Sequence, residues 1–486
     1  MNYPFFNLFG GKINLINSWI ASYGEKKTFM LMKYIMILLI NPPYFNRDEL
    51  KERFSSFMGW IKRGNMYAVA FEPPLGISEL ATFLNSNGIE TSVLDIPGLF
   101  MTDEEVEDEI SRLTPEIVGI TAMSATIFES LKIAEIVKKV SPSSIVVLGG
   151  VHPTVMPASV LKNDVVDFVV RGEGEYALYE IYNAIKNKKD LTYLKELNQG
   201  ICFNDNSSPI ISERAELIEN LDKIPLADYS LFPAENYIKY NQDLRGIRGI
   251  SMIAGRGCPY SCTFCAVNKT MGRRDRRRKP EIIISKIKEL ADSLNIEGIW
   301  FKDSTFNINR KWVEKFCSLI KRELPGFKWQ INTRVDLVNE EEIEMMKDAG
   351  LVQIDLGIES GSSSTLALLG KKYSVDEIYR SVSIAKRYVK VAGFFMIGLP
   401  GETEKDIDAT FELAKLLELD SYSFSIFSPL PGTKLFERLV EEGKISEDKW
   451  NYKESHFTKT KEVFCSIDRD GLLRKYSEIN NFFSSH

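Results

Sequence analysis

The chain has little of several features that define common protein classes. Its 486 residues include only three histidines and six cysteines, and its formal net charge is −6. Six cysteines in so long a chain do not make a disulfide framework, and general nucleic-acid binders normally carry a basic face. The apolar run 34–40 is far shorter than the roughly 20 residues that span a bilayer. We therefore expect no nucleic-acid partner and no transmembrane segment.

Three of the six cysteines lie within eight residues, and their spacing is the most informative motif. Cys258, Cys262 and Cys265 form C-x3-C-x2-C, with no fourth cysteine nearby. Three thiolates on one loop can hold three irons of a 4Fe-4S cluster, which leaves the fourth iron open to chelate a small molecule. The alternatives are a structural zinc site and chance clustering. Zinc prefers four closed ligands, and none of the histidines is close in sequence, so the spacing favours a catalytic cluster.

From Lys33 to about Asn187, continuous apolar runs alternate with amphipathic segments. Such runs predict parallel strands with helices on both faces, a Rossmann-like doubly wound α/β domain. Sheets of this kind bind ligands at the carboxyl ends of their strands. The predicted strands are 34–40, 91–96, 117–121, 144–150 and 166–172, and the predicted helices lie near 75–87, 103–113, 126–140 and 175–187.

A second alternation begins at Ile250, and its six repeats predict a partial (β/α)6 barrel. Parallel barrels carry their chemistry at the carboxyl ends of the strands, and the cysteine loop directly follows the first of them. Between the two α/β regions we expect a connector with a hairpin turn at 204–208. The predicted barrel strands are 251–255, 296–303, 329–334, 351–359, 391–400 and 421–429, and the helices between them are 279–293, 309–323, 339–348, 374–388 and 403–418.

The cysteine loop, including Phe264 before its last cysteine, resembles that of radical S-adenosylmethionine (SAM) enzymes. The stretches NPP, PPLGISELATFL, GITAMSAT, VVLGGVHPT and VVRGEGE resemble the cobalamin-binding domain of the subfamily that pairs cobalamin with the radical SAM barrel. The resemblance covers about residues 32–440. The expected organisation is an extension at 1–31, a cobalamin-binding domain at 32–187, a connector at 188–248, a radical SAM barrel at 249–438 and a tail at 439–486.

The resemblance implies residues for each cofactor. One departure is the absence of the Asp-x-His-x-x-Gly motif of methyltransferase-type and mutase-type cobalamin domains, so no histidine is expected as an axial ligand. His152 is expected either to brace its loop or to contact the corrin edge or nucleotide tail. The implied SAM contacts are Asp303, Asn332, Arg334, Glu359, Ser360 and Gly398. The implied cobalamin contacts are Pro43, Ser124, Gly149, Gly150, His152 and Glu173.

The family likeness implies an enzyme that methylates an unactivated carbon through a 5′-deoxyadenosyl radical and methylcobalamin. The same cofactors could instead support ring formation, carbon–carbon bond formation or rearrangement without net methylation. A non-catalytic corrinoid or iron–sulfur sensor is the alternative from a different class. The catalytic acid–base residues and the substrate, a small or lipid-like molecule, are not evident from the sequence.

The basic run 273–279 follows the cysteine loop and has three interpretations. It forms a solvated turn, or it binds a phosphate-bearing substrate, or it receives an acidic flavodoxin or ferredoxin as electron donor. An oxygen-sensitive cluster implies a reducing compartment, so we expect a cytoplasmic protein.

Overall fold

The computed structural model of the chain describes residues 36–44, 71–189, 192–197, 199–205, 208–447, 450–452, 458 and 460–484. The extension expected at residues 1–31 lies outside the described residues. Within these residues, two β-sheets with their flanking helices make up most of the fold. No helix in the described residues is long and apolar enough to cross a membrane.

The first sheet has seven strands in the order β2-β1-β3-β4-β5-β6-β7. The first five strands are parallel, and the last two form an antiparallel hairpin that extends the sheet beside β5. Strand order reverses between β1 and β3, the topological switch point at which doubly wound sheets bind ligands. The strands are β1 (Ile37–Asn41), β2 (Thr91–Asp95), β3 (Ile117–Thr121), β4 (Ile145–Gly149), β5 (Phe168–Val170), β6 (Ile201–Asp205) and β7 (Ser208–Ile210).

Helices connect these strands close to the predicted positions. The best-defined start is Thr102, whose side chain accepts a hydrogen bond from the Glu105 backbone while the Glu105 carboxylate binds the Thr102 N–H, a capping box. The helices of this part are Leu75–Ser86, Ile96–Leu99, Asp103–Leu113, Ile127–Val140, Val151–Val155, Pro157–Leu161, Glu175–Lys186 and Thr192–Glu196.

The second sheet confirms the partial barrel. Six parallel strands run in the order β15-β14-β13-β12-β11-β8, and a short antiparallel pair, β9 and β10, stands beside them. The strands are β8 (Gly249–Met252), β9 (Gly255–Arg256), β10 (Arg276–Arg277), β11 (Gly298–Phe301), β12 (Lys328–Arg334), β13 (Leu351–Glu359), β14 (Lys390–Ile397) and β15 (Ser421–Ile426).

Most helices of the barrel region pack their apolar faces on the outside of this sheet, whereas Lys434–Glu441 packs in the core of the first sheet and Val267–Thr270 buries no residue. The last helix covers β15, where the Phe483 ring stacks on Tyr422 with centroids 3.8 Å apart. These helices are Ala234–Arg245, Val267–Thr270, Pro280–Leu294, Arg310–Glu323, Glu340–Asp348, Ser363–Leu368, Val375–Lys386, Glu404–Leu417, Lys434–Glu441 and Arg469–Ser484.

Candidate active site

The carboxyl ends of the two sheets share one cavity of about 730 Å³. On one side lie Asn41 and Thr121, which end β1 and β3 at the switch point of the first sheet. On the other side lie the three cysteines of the loop after β9. The cavity therefore joins the two places at which these folds bind ligands.

The cysteine loop is held from both sides. Its Thr263 N–H donates to the Leu369 carbonyl at 3.1 Å, and the Thr263 carbonyl accepts from the Leu435 N–H at 3.0 Å. Gly257 begins the loop with φ +92°, and a side chain there would collide with the Arg274 carbonyl. The loop conformation thus depends on glycine at this position.

The three thiols are free, and all three line the cavity. Burial raises the pKa of Cys265 to about 11, and the nearby Cys262 and Cys258 thiols add to the rise. Such thiols bind a metal by losing their protons. In the described part of the chain, no three His, Cys, Asp or Glu side chains converge on one metal position. Thiolates of a cluster bind separate irons and need not converge.

Arg334 lies beside the loop, at the end of β12. Its guanidinium forms a bidentate ion pair with the Asp336 carboxylate, with N–O distances of 2.8 and 3.0 Å. It also donates to Cys262 Sγ at 3.4 Å and stacks over the Tyr260 ring, 3.7 Å from the ring centroid. It lines the cavity, as does Asn332, whose amide donates to the Asp303 carbonyl at 3.2 Å. A fixed guanidinium here can pair with a carboxylate.

Glu359 ends β13 in a strained conformation and has a buried partner. Its φ is +71°, at an irregularity in the pairing with β14. Its Oε1 accepts from Lys371 Nζ at 2.9 Å, and both side chains line the cavity. Sequence reasoning missed Lys371, since nothing in the sequence separates it from the exposed Lys372 next to it.

The other three predicted SAM residues, Asp303, Ser360 and Gly398, do not line the cavity. Asp303 accepts from the Ala254 N–H at 3.0 Å and pairs with Arg277 at 3.2 Å, while the adjacent Ser304 lines the cavity. Ser360 is buried, with its hydroxyl 2.9 Å from Thr410 Oγ1. Gly398, with φ +81°, donates its N–H to Glu402 Oε2 at 2.6 Å. Their contact with SAM stays a prediction.

In the first domain, Ser124 and His152 are neighbours, with Nδ1 and Oγ 3.1 Å apart. Burial lowers the pKa of His152 to about 4, so the ring is neutral at pH 7, and it packs edge-on against Tyr452 at 5.1 Å. Neither residue lines the described cavity, whose wall from this domain includes Thr121 and Met123. This contact set favours the bracing interpretation of His152.

The remaining predicted cobalamin residues shape the strand ends. Gly150 has φ +102°, and a side chain there would lie 2.9 Å from the Ala122 carbonyl oxygen. Gly149 is the last residue of β4, and Pro43 is buried between Pro42 and Tyr44, which line the cavity. Their contact with the corrin is untested and stays a prediction.

Glu173 lies in a buried ionic network that we call the interdomain clamp, formed by Glu79, Glu173, Glu175, Arg256, Arg276 and Arg278. Arg256 pairs with all three carboxylates at 2.6 to 3.0 Å. Glu173 also pairs with Arg276 at 2.9 Å, and Glu79 with Arg278 at 2.9 Å. Burial works to raise the pKa of Glu173, but the bond from Arg276 and the charge of Arg256 hold it below its usual value.

The clamp corrects the expectation of a solvated basic turn. Arg276 and Arg278 are buried, the Arg277 side chain is 5% exposed, and all three are ion-paired, so that interpretation is wrong for them. Arg274 and Lys279 do face solvent, with side chains 72% and 73% exposed. Two of the six positive side chains in the run, Arg276 and Arg278, therefore pair with carboxylates of the first domain.

A doubly wound domain that faces a parallel half-barrel with a three-cysteine loop is the architecture of an iron–sulfur enzyme with a second cofactor domain. Family models agree: the B12 binding domain matches residues 67–182 and the radical SAM superfamily matches residues 252–414. The chain belongs to the radical SAM superfamily, as a member with a B12-binding domain ahead of the radical SAM domain. Its cofactors are a 4Fe-4S cluster, SAM and cobalamin.

Similar proteins have more than one activity. An uncharacterized methyltransferase of Pyrococcus horikoshii is 31% identical over 423 residues, 86% of this chain and 86% of the relative. The anaerobic magnesium-protoporphyrin IX monomethyl ester cyclase of Rubrivivax gelatinosus is 30% identical over 389 residues, 78% of this chain and 69% of the relative. The radical SAM methyltransferase TsrM from Kitasatospora setae shares the fold at 18% identity, with a TM-score of 0.67 over 84% of this chain and 75% of that one.

Proposed function

We propose that the protein methylates an unactivated carbon of a small molecule. The observation that carries this proposal is the single cavity whose walls are the cysteine loop and the switch point of the first sheet. A methyl group held at the switch point and a radical made at the cysteines would then face the same substrate. Methylation of this kind needs both in one space, because the radical must meet the methyl donor before it reacts elsewhere.

The chain's own residues would orient the cofactors. Cys258, Cys262 and Cys265 would hold the cluster, with Arg334 set to bind the SAM carboxylate and Glu359 its amine or ribose. When bound, the cluster and SAM supply the 5′-deoxyadenosyl radical that removes a hydrogen atom, and cobalamin supplies the methyl group. Each methylated product would require two SAM and two electrons: one electron for the SAM that gives the radical, and one to return the corrinoid to the state that accepts a methyl group from the other SAM.

A second candidate is ring formation or rearrangement without net methylation. The similarity to the magnesium-protoporphyrin ester cyclase favours it, since that relative is nearly as similar as the methyltransferase. The same residues would hold the cluster and SAM, and the outcome would depend on where the substrate radical lies relative to the corrin.

The radical step needs an electron from a partner. We propose a flavodoxin or ferredoxin that docks where Arg274 and Lys279 face solvent near the cysteine loop, because such carriers are acidic. A reduced cluster is stable in the cytoplasm, which is the compartment that we propose.

Product analysis tests the proposal. The holoenzyme is reconstituted anaerobically and given SAM and a reductant, with a Cys262→Ala variant as control. Formation of both 5′-deoxyadenosine and S-adenosylhomocysteine supports methylation. Formation of 5′-deoxyadenosine alone supports the second candidate. Formation of neither contradicts both and favours a sensor.

A further inference from the structure

The inside of the half-barrel carries polar side chains at several positions. Parallel barrels usually fill their interior with branched apolar side chains. Here the inward positions of β12, β13 and β15 include Gln330, Gln353, Asp355 and Ser423, and the last three line the cavity. The cavity therefore continues from the cysteines into a lumen whose wall includes hydrogen-bonding groups among apolar ones such as Ala392 and Phe394.

Strand β13 gives the depth of this lumen. Side chains on one face of a strand alternate, so Asp355, Gly357 and Glu359 point the same way, and all three line the cavity. Asp355 lies four residues before Glu359, and because the irregularity after Gly357 makes these residues span only three positions of β14, the separation is about 10 Å at roughly 3.3 Å per position. Asp355 is thus well separated from the cysteine end.

The Asp355 carboxylate is buried and only partly satisfied. The residue is 7% exposed. Its Oδ2 accepts from Gln330 Nε2 at 2.5 Å and its Oδ1 from Gln353 Nε2 at 2.8 Å. Within the described ranges, no lysine, arginine or histidine forms an ion pair with it. A carboxylate offers about four acceptor positions, so about two remain after these bonds, and Asp355 lines the cavity.

Arg245 fixes the orientation of the Gln330 side-chain amide. It ends the helix Ala234–Arg245, donates to Gln330 Oε1, and stacks over the Trp300 ring at 5.1 Å. Because the Gln330 oxygen faces Arg245, its amide nitrogen must face Asp355. The carboxylate is therefore held as an acceptor of the Gln330 amide, and Arg245, which also lines the cavity, contacts it only by way of Gln330.

We propose that Asp355, held by Gln330 and Gln353, anchors the substrate by accepting hydrogen bonds from a hydroxyl or a protonated amine. The rest of the molecule would extend past Ser423 toward the cysteines, where the reacting carbon lies. This inference rests on the proposed function and narrows its substrate to a molecule with a hydrogen-bond-donating head group. A wholly apolar substrate would leave the buried carboxylate unmatched, which costs binding free energy.

Binding of simple probes tests the anchor without turnover. Octylamine, octan-1-ol and octanoate share one chain length and differ in the head group. In anaerobic equilibrium dialysis with unreduced holoenzyme, octylamine should bind best, octan-1-ol less well, and octanoate not measurably. Asp355→Asn should weaken octylamine about tenfold or more, the usual effect of losing a charged hydrogen bond, and octan-1-ol much less.

Two further variants keep the test decisive. Ser423→Leu narrows the lumen and should weaken both octylamine and octan-1-ol while Asp355 stays intact. Asp408→Asn removes a surface carboxylate that pairs with Lys475 and should change nothing. Equal octylamine affinity in the wild type and Asp355→Asn, octanoate binding as tight as octylamine, or no binding by any probe overturns the inference. Absence of 5′-deoxyadenosine in the product assay would instead overturn the proposed function and leave this binding result standing.

Discussion

The interdomain clamp predicts that one buried arginine holds the cobalamin domain against the cysteine loop. Arg256 reaches Glu79 and Glu175 at 2.6 Å and Glu173 at 3.0 Å, and its own side chain is only 12% exposed. Arg256→Met removes the cation and keeps most of the apolar stem. The perturbation therefore tests charge pairing more than packing.

The three carboxylates would not lose the same number of ion-pair partners. Glu79 would keep Arg278 and Glu173 would keep Arg276, but Glu175 pairs only with Arg256 among the described residues. The expected cost is that of one buried pair broken from one side, about 3–5 kcal/mol of unfolding free energy. Adding Glu175→Gln removes the stranded charge and should recover about 1–3 kcal/mol.

Anaerobic urea unfolding of the holoenzyme measures this cost. The exposed pair of Arg274 with Glu219 supplies the control, since Arg274→Gln in the same basic run should leave the unfolding midpoint unchanged. Pulsed dipolar EPR between cob(II)alamin and the reduced cluster should show a broader distance distribution in Arg256→Met. If Arg256→Met behaves like Arg274→Gln in both measurements, the clamp does not hold the domains and the reasoning is refuted.

Three further predictions follow from single side chains. Lys371→Met should weaken SAM binding about tenfold or more, because Glu359 loses its buried cationic partner. Equilibrium dialysis against SAM measures this affinity. Lys372→Met, at the exposed neighbouring position, is the control and should have no effect. Burial raises the pKa of Glu402 to about 7 from 4.5, so the folded state favours the protonated form and up to about 3 kcal/mol of stability should be lost as pH rises from 4.5 to 7. Glu402→Gln should abolish this pH dependence of the unfolding free energy, measured by denaturant unfolding between pH 4.5 and 7. His152→Phe should leave the visible and EPR spectra of bound cob(II)alamin unchanged, whereas a changed spectrum would show axial coordination by the imidazole.

The sequence predicts the strands and helices well where their apolar pattern is continuous. Strands Ile117–Thr121 and Leu351–Glu359 and helix Asp103–Leu113 have the predicted bounds. The prediction of 166–172 was too long, because the strand ends at Val170 and Gly172 turns with φ +103°. Local pattern determines these elements, and backbone turns at glycine set their ends.

The side-chain partners in the site could not be predicted in the same way. Arg278 and Glu79 are 199 positions apart, and Arg276 and Glu173 are 103 apart. The sequence shows which residues are charged, but which of them form ion pairs over such separations depends on how the two sheets pack. Burial likewise distinguishes Lys371 from its neighbour only once the barrel has formed.

The cluster itself is the most direct test of the account. Iron and sulfide analysis of the anaerobically purified protein, with EPR of the reduced form before and after SAM is added, examines Cys258, Cys262 and Cys265 together. The account predicts a 4Fe-4S cluster whose spectrum changes on SAM binding and which is lost in the triple Cys→Ala variant. An iron-free protein, or a cluster whose spectrum ignores SAM, would contradict it.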